Sequence, residues 1–117
     1  MMAPGAVWRL DSEHIAHMGR KPGRPVIIVE VAERAQDESL LYVLVVPCTT
    51  KDEVFQDERT VTIPRGTAGL PYDSHALIYL VQPVERHLLR EYIGTLPEEL
   101  IWDIAADLYD LLNITPR

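Results

Sequence analysis

Two runs limit what this chain can fold into: Pro25-Val26-Ile27-Ile28-Val29-Glu30-Val31 and Leu40-Leu41-Tyr42-Val43-Leu44-Val45-Val46. Each is strand-sized and rich in β-branched residues, and neither approaches the length of a membrane-spanning helix. Because adjacent positions are apolar, both faces of each strand need cover, which puts residues 25–31 in the middle of a sheet.

The remaining punctuation predicts more short strands. Ala6-Val7-Trp8-Arg9-Leu10 reads as a first strand entered through Pro4-Gly5. Pro47 should end the ladder of the third strand. Residues 59–63 alternate, with Val61 and Ile63 on one face, and residues 75–81 read as another strand. Pro83 is expected to open a short helical segment over residues 85–90, and Tyr92-Ile93-Gly94 to form a brief last strand. Thr95 and Glu98 have the spacing of a capping box, with Pro97 tolerated in the first turn. The helix that follows should run to about Leu112, with Ile101, Ile104, Ala105, Leu108, Leu111 and Leu112 as its apolar stripe. The expected fold is mainly β with a C-terminal α-helix: a small, strongly bent antiparallel sheet or partly open barrel, one face closed by the helix. At 117 residues it is expected to form a single domain over 1–117.

The net charge of −7 and pI near 4.9 argue against a general nucleic-acid binder. The distribution of charge leaves a local basic site open. Between His14 and Pro25 there is no acidic residue, but there are Arg20, Lys21 and Arg24 together with His14 and His17. Cys48 is the only cysteine, so an internal disulfide is excluded, and no metal-ligand pair stands near it. No metal or cofactor is expected. The N-terminal residues lack a charged segment followed by an apolar core, so a cytoplasmic location with no membrane association is the expectation.

Arg24 stands at the hinge between the basic loop and the second strand. Pro25 pushes it towards an extended backbone. A planar guanidinium there suits a phosphate, since it donates two parallel hydrogen bonds and keeps its charge; the competing reading is an ordinary solvated arginine beside a turn. Cys48-Thr49-Thr50 places two hydroxyls at the end of the third strand. Cys48 itself reads as a small packing residue, and Asp73-Ser74 as a turn set by side-chain to backbone bonds. Trp8 and Trp102 read as core or dimer contacts, and His75 as facing solvent or a neighbour.

Taken in order, five pieces of this chain resemble the MazF/PemK family of toxins from type II toxin–antitoxin modules, whose barrel is shared with CcdB and Kid. They are Gly5-Ala6-Val7-Trp8, Gly23-Arg24-Pro25-Val26-Ile27-Ile28-Val29, Val45-Val46-Pro47-Cys48-Thr49-Thr50, Gly69-Leu70-Pro71-Tyr72-Asp73-Ser74 and Tyr92-Ile93-Gly94-Thr95-Leu96-Pro97-Glu98-Glu99. The resemblance implies an SH3-like, partly open barrel that forms a homodimer. It implies a metal-independent endoribonuclease acting on single-stranded RNA, and a cognate antitoxin as partner. The catalytic pair it implies is Arg24 and Thr49. Arg20, Lys21, His14, His17 and Thr50 are the expected RNA contacts, and His14 or His17 could act as a base. The sequence also departs from the family. Of a Gly-Ser-Glu-Gln-like run in the first loop, Asp11-Ser12-Glu13-His14 keeps the Ser-Glu pair, and Tyr79, Leu80 and Gln82 replace an acidic residue, a glutamine and an arginine common at the RNA groove. Two alternatives stay open. One is a catalytically weak or inactive binding protein on the same fold, directed at an antitoxin or another protein, gyrase included. The other is a small barrel with an unrelated ligand.

Overall fold

The computed structural model describes residues 1–11, 15, 23–50 and 59–113. Pro25 opens a strand, β2 (Pro25–Ile28), that lies between β1 (Ala6–Leu10) and β3 (Tyr42–Thr49). Both neighbours are antiparallel to it, with Val7 and Val46 flanking Ile27. Its unbroken apolar run now has a cause. Ile27 belongs to one core cluster with Val7 and Val46, while Val26 and Ile28 belong to a second with Ala6 and Val45. Adjacent residues of a strand face opposite ways, so a sheet with a core on each side needs apolar residues at every position.

Among the described residues the sheet has seven strands in the order β4-β5-β3-β2-β1-β7, with β6 also paired to β3. Here β4 is Thr60–Ile63, β5 Ser74–Leu77, β6 Gln82–Glu85 and β7 Leu89–Thr95. It bends strongly without closing. Irregularities in the β1–β7 register, between Val7 and Trp8 and between Arg9 and Leu10, add to the curl. The C-terminal helix, α2 (Glu98–Leu111), packs Ile104 fully and Leu100, Ile101 and Leu108 partly against the first cluster. The second cluster is covered by Ala35 of the short α1 (Ala32–Ala35) and by Ile15, Val84 and Leu89. Arg86 ties α1 down by donating to the carbonyls of Arg34, Ala35 and Leu40.

Pro47 departs from expectation in an instructive way. The strand continues past it to Thr49. Ile28 accepts from Gly5 on the β1 side and Val29 donates to Leu44 on the β3 side. By the antiparallel alternation, Pro47 therefore turns its missing donor away from β2, and that ladder is unharmed. On the other edge the proline does end a ladder. β5 pairs through His75↔Thr49 and Ala76↔Cys48, and the next pair in that register would be Leu77 with Pro47. The pairing stops there, residues 78–80 wind into a 3₁₀ turn, and β6 resumes at Gln82↔Val45. Residues 75–81 are thus not one strand.

Other boundaries also differ. Pro83 lies in β6, and residues 86–88 form a 3₁₀ turn where a short helix was expected. The last strand is seven residues long, not three. Thr95 is held in that strand opposite Ala6, its hydroxyl bonded to that of Tyr92, so the capping box does not form. Pro97 is the N-cap of α2, without a side-chain cap bond, and Glu98 accepts from the Trp102 indole instead. Trp102 is exposed, not core. Leu111 and Leu112, expected in the apolar stripe, are exposed at the helix end.

Candidate active site

Arg24 and Thr49 meet because of strand register. Val26 stands opposite Pro47, and continuing that ladder two residues brings Arg24 opposite Thr49. The Arg24 backbone is fixed on its other side, where its carbonyl accepts from Leu10 at 3.1 Å. Its side chain does not reach outward from the loop, nor is it solvated. It is 7% exposed, as is Thr49, and its Nη1 donates to the carbonyl of Cys48 at 3.3 Å.

Both residues line one pocket of about 270 Å³. Pro25, Cys48 and Thr50 line it beside them, as do Arg9 and Gly23 and, from the connector before β5 and its first residue, Leu70, Pro71, Tyr72 and Ser74. Arg9 is held there by Nη1 donating to the Gly23 carbonyl at 3.2 Å and by an ion pair with Glu91 at 3.6 Å. Ser74 is buried, and its hydroxyl donates to the Tyr72 carbonyl at 3.0 Å. Asp73 accepts from the Arg65 backbone N–H at 2.7 Å, eight residues back, so its carboxylate spans the connector, and of the expected pair Ser74 alone bonds the backbone locally. His75 bonds the Thr62 hydroxyl at 3.3 Å and is not among the lining residues.

Burial shapes the electrostatics. Desolvation lowers the Arg24 pKa from the ordinary arginine value, against a smaller opposing effect of Cys48. The Cys48 thiol is pushed up to about 12 by burial, with Arg24 pulling weakly the other way. The thiol is therefore neutral packing at physiological pH, as its position suggested. An arginine desolvated in this way gains most from an anion that enters the pocket, because a phosphate offers the planar fork two acceptors. A buried hydroxyl beside it supplies one further donor. Among the described residues, no group of three or more His, Cys, Asp or Glu is placed to hold a metal ion. No described helix is long and apolar enough to cross a membrane.

Of the expected site residues, the structure brings together Arg24, Thr49 and Thr50. His14, His17, Arg20 and Lys21 lie outside the described residues. Tyr79, Leu80 and Gln82 are not among the residues lining the pocket; they occupy the 3₁₀ turn and β6, where the Gln82 amide donates to the Leu80 carbonyl. Two pocket residues, Arg9 and Tyr72, carry a side-chain role that the sequence did not suggest. Arg9 could have been found by counting, since an antiparallel first strand sets it opposite Pro25.

The family described as PemK-like, MazF-like toxin of type II toxin-antitoxin system matches residues 3–112. No curated protein matches the sequence. Among solved structures, the chain is similar to MazF from Deinococcus radiodurans, at 17% identity and TM-score 0.73 over 97% of each chain. It is also similar to Mycobacterium tuberculosis toxin MazF-mt6, at 18% identity and TM-score 0.72 over 95% of this chain and 99% of that one. A third is an endoribonuclease from Mycobacterial species in complex with its cognate antitoxin, at 17% identity and TM-score 0.69 over 98% of this chain and 96% of that one. At such identities the structures speak for the fold, while the family match spans nearly the whole sequence: the chain belongs to the PemK-like, MazF-like toxins of type II toxin–antitoxin systems.

Proposed function

We propose that this toxin is an endoribonuclease that cleaves single-stranded RNA, with Arg24 and Thr49 at the reacting phosphate. The observation that carries the proposal is the convergence of a desolvated arginine and a buried threonine on one pocket. In the reaction, the ribose 2′-oxygen forms a bond to the neighbouring phosphorus and the bond from phosphorus to the 5′-oxygen breaks. The products are a 2′,3′-cyclic phosphate and a 5′-hydroxyl. Arg24 stabilises charge on the phosphoryl oxygens, and Thr49 holds the phosphate in line. The 2′-hydroxyl proton leaves to a base and the departing oxygen regains one. An imidazole suits that exchange, since the histidine side chain changes charge near neutral pH, and His14 or His17 is the candidate base.

The Mycobacterial relative of similar fold is an endoribonuclease bound to its cognate antitoxin. By that likeness we also assign this chain a cognate antitoxin partner, and by family resemblance a homodimeric state. The binding-only alternative draws on the changes at Tyr79, Leu80 and Gln82, which are not among the residues lining the Arg24–Thr49 pocket.

The test is to incubate the purified protein with single-stranded RNA of varied sequence, with and without a metal chelator, and to identify the new ends. Chelator-insensitive cleavage giving cyclic phosphate ends is expected. A single 2′-deoxy substitution at the cleaved nucleotide should block it, because the nucleophile is gone. RNA that stays intact across all sequences, or a cut at the deoxy position, would sink the proposal.

A further inference from the structure

Tyr72 is 66% exposed, yet it is not a stray surface aromatic. Its side forms part of the wall of the Arg24–Thr49 pocket, and it also lines a second depression with Pro64, Arg65 and Asp73. The residue thus stands as a partition between two adjoining hollows. One holds the desolvated arginine and the buried threonine; the other has an exposed arginine at its edge.

The backbone that carries Tyr72 is unusually well fixed for a connector. Ser74, buried, donates to the Tyr72 carbonyl, and the Asp73 carboxylate accepts from the Arg65 N–H. The preceding turn is pressed onto β7. A Cβ on Gly69 would lie 2.6 Å from Ile93 Cγ2, and one on Gly94 would lie 2.7 Å from the Ala68 carbonyl. Neither position has space for any other residue. An aromatic ring on so constrained a segment loses little freedom when a flat partner stacks on it.

We infer that Tyr72 is a base-stacking subsite: the nucleobase next to the cleaved phosphate lies against its ring, and the strand continues past it towards Arg65. The inference rests on the ribonuclease reading for the identity of the strand. Stacking is tolerant of base identity, since every base presents a π-face. Tyr72 therefore contributes affinity and registers the phosphate against Arg24, while selectivity among bases comes from other groups.

The test uses the full chain and a single-stranded RNA made non-cleavable by 2′-deoxy substitution, with a fluorescent base analogue beside the blocked phosphate. Tyr72→Ala should weaken binding about five- to hundred-fold. It should also abolish the quenching of the analogue, and raise KM for cleavable RNA with much less effect on kcat. Tyr72→Phe and Tyr72→Trp should restore both binding and quenching, which a merely structural residue would not do. Unchanged affinity and quenching in Tyr72→Ala, with cleavage intact, would overturn the subsite and leave the ribonuclease reading standing. Tyr72-dependent binding and quenching without any cleavage of normal RNA would uphold the subsite and overturn the ribonuclease reading. Failure of the wild-type protein to bind RNA at all would overturn both.

Discussion

The guanidinium of Arg24 reaches under the end of β3 and donates to the carbonyl of Cys48, one residue before Thr49. The bond joins segments 24 residues apart in sequence. It orients the fork without neutralising it, because a carbonyl carries no charge. Desolvation therefore dominates the balance at Arg24 and lowers its pKa. Under the proposed reaction the cation is in place before the RNA arrives, which is the preorganisation that stabilises charge in a transition state.

That arrangement separates stability from activity. Burying a charge strips its hydration, and an apolar side chain of similar length at the same place removes that cost. Arg24→Met should therefore hold or raise the melting temperature while lowering RNA cleavage by at least about 100-fold. Arg24→Lys should keep the charge but lose the fork, and should recover little of the activity. Paired thermal unfolding and single-turnover cleavage measurements decide the matter. A variant that loses both properties together would show that Arg24 is mainly structural.

Thr49 gives a sharper test because its two roles have separate replacements. Its β-branched side chain suits the strand end, and its hydroxyl is the group assigned to the phosphate. Thr49→Val keeps the shape and removes the hydroxyl, so kcat should fall about 10- to 100-fold with little change in melting temperature. Thr49→Ser keeps the hydroxyl and should retain most of the rate despite a slightly less stable strand. Equal activity in the two variants would remove Thr49 from the reaction.

How far the sequence carried the reading depended on whether a residue's role was local. β1, the start of β2 and the face of β4 with Val61 and Ile63 follow from alternation and punctuation, and the structure has them as expected. The pairing of Arg24 with Thr49 came from the order of the family's segments; the register of β2 and β3 supplies its physical cause. The pocket around Arg24 was not legible, because Leu70, Pro71 and Tyr72, which line it with Arg24, come from a connector distant in sequence. The break after Leu77 was missed for a similar reason. Residues 75–81 are apolar enough for one strand, and the interruption comes from a proline on the partner. The capping box failed because Thr95 has a tertiary obligation to β1 that local spacing cannot show.

The buried thiol predicts a pH dependence of stability. Burial raises the Cys48 pKa to about 12 from an ordinary thiol value of 9.0. Between those two values the unfolded chain releases the thiol proton and the folded one keeps it. The unfolded state then binds fewer protons, so stability falls as pH rises. This contribution is fully present below about pH 9 and is lost progressively towards pH 12. In denaturant titrations, Cys48→Ala should show a shallower decline than wild type over that window, on a lower baseline set by the small cavity it leaves. The native thiol should also react slowly with alkylating reagents at pH 8, at a rate that follows unfolding.

The last test concerns the contact that holds the pocket's far wall in place. Gly94 lies in β7 with ordinary strand dihedrals, so it is glycine for reasons of space alone: a Cβ there would sit 2.7 Å from the carbonyl carbon and oxygen of Ala68. Backbone cannot swing aside as a side-chain tip does, so Gly94→Ala should push residues 67–69 away from the sheet. Overpacking of this kind costs typically 1–3 kcal/mol. Gly66→Ala, in the same connector, meets open space and bears only the strain of its positive φ of 87°, so it should cost about 1 kcal/mol. The displaced connector carries Leu70, Pro71 and Tyr72 away from Arg24, so Gly94→Ala should also weaken RNA affinity in the folded fraction, and Gly66→Ala should not. Equal losses of stability and affinity in the two variants would show that the wall is not clamped through β7.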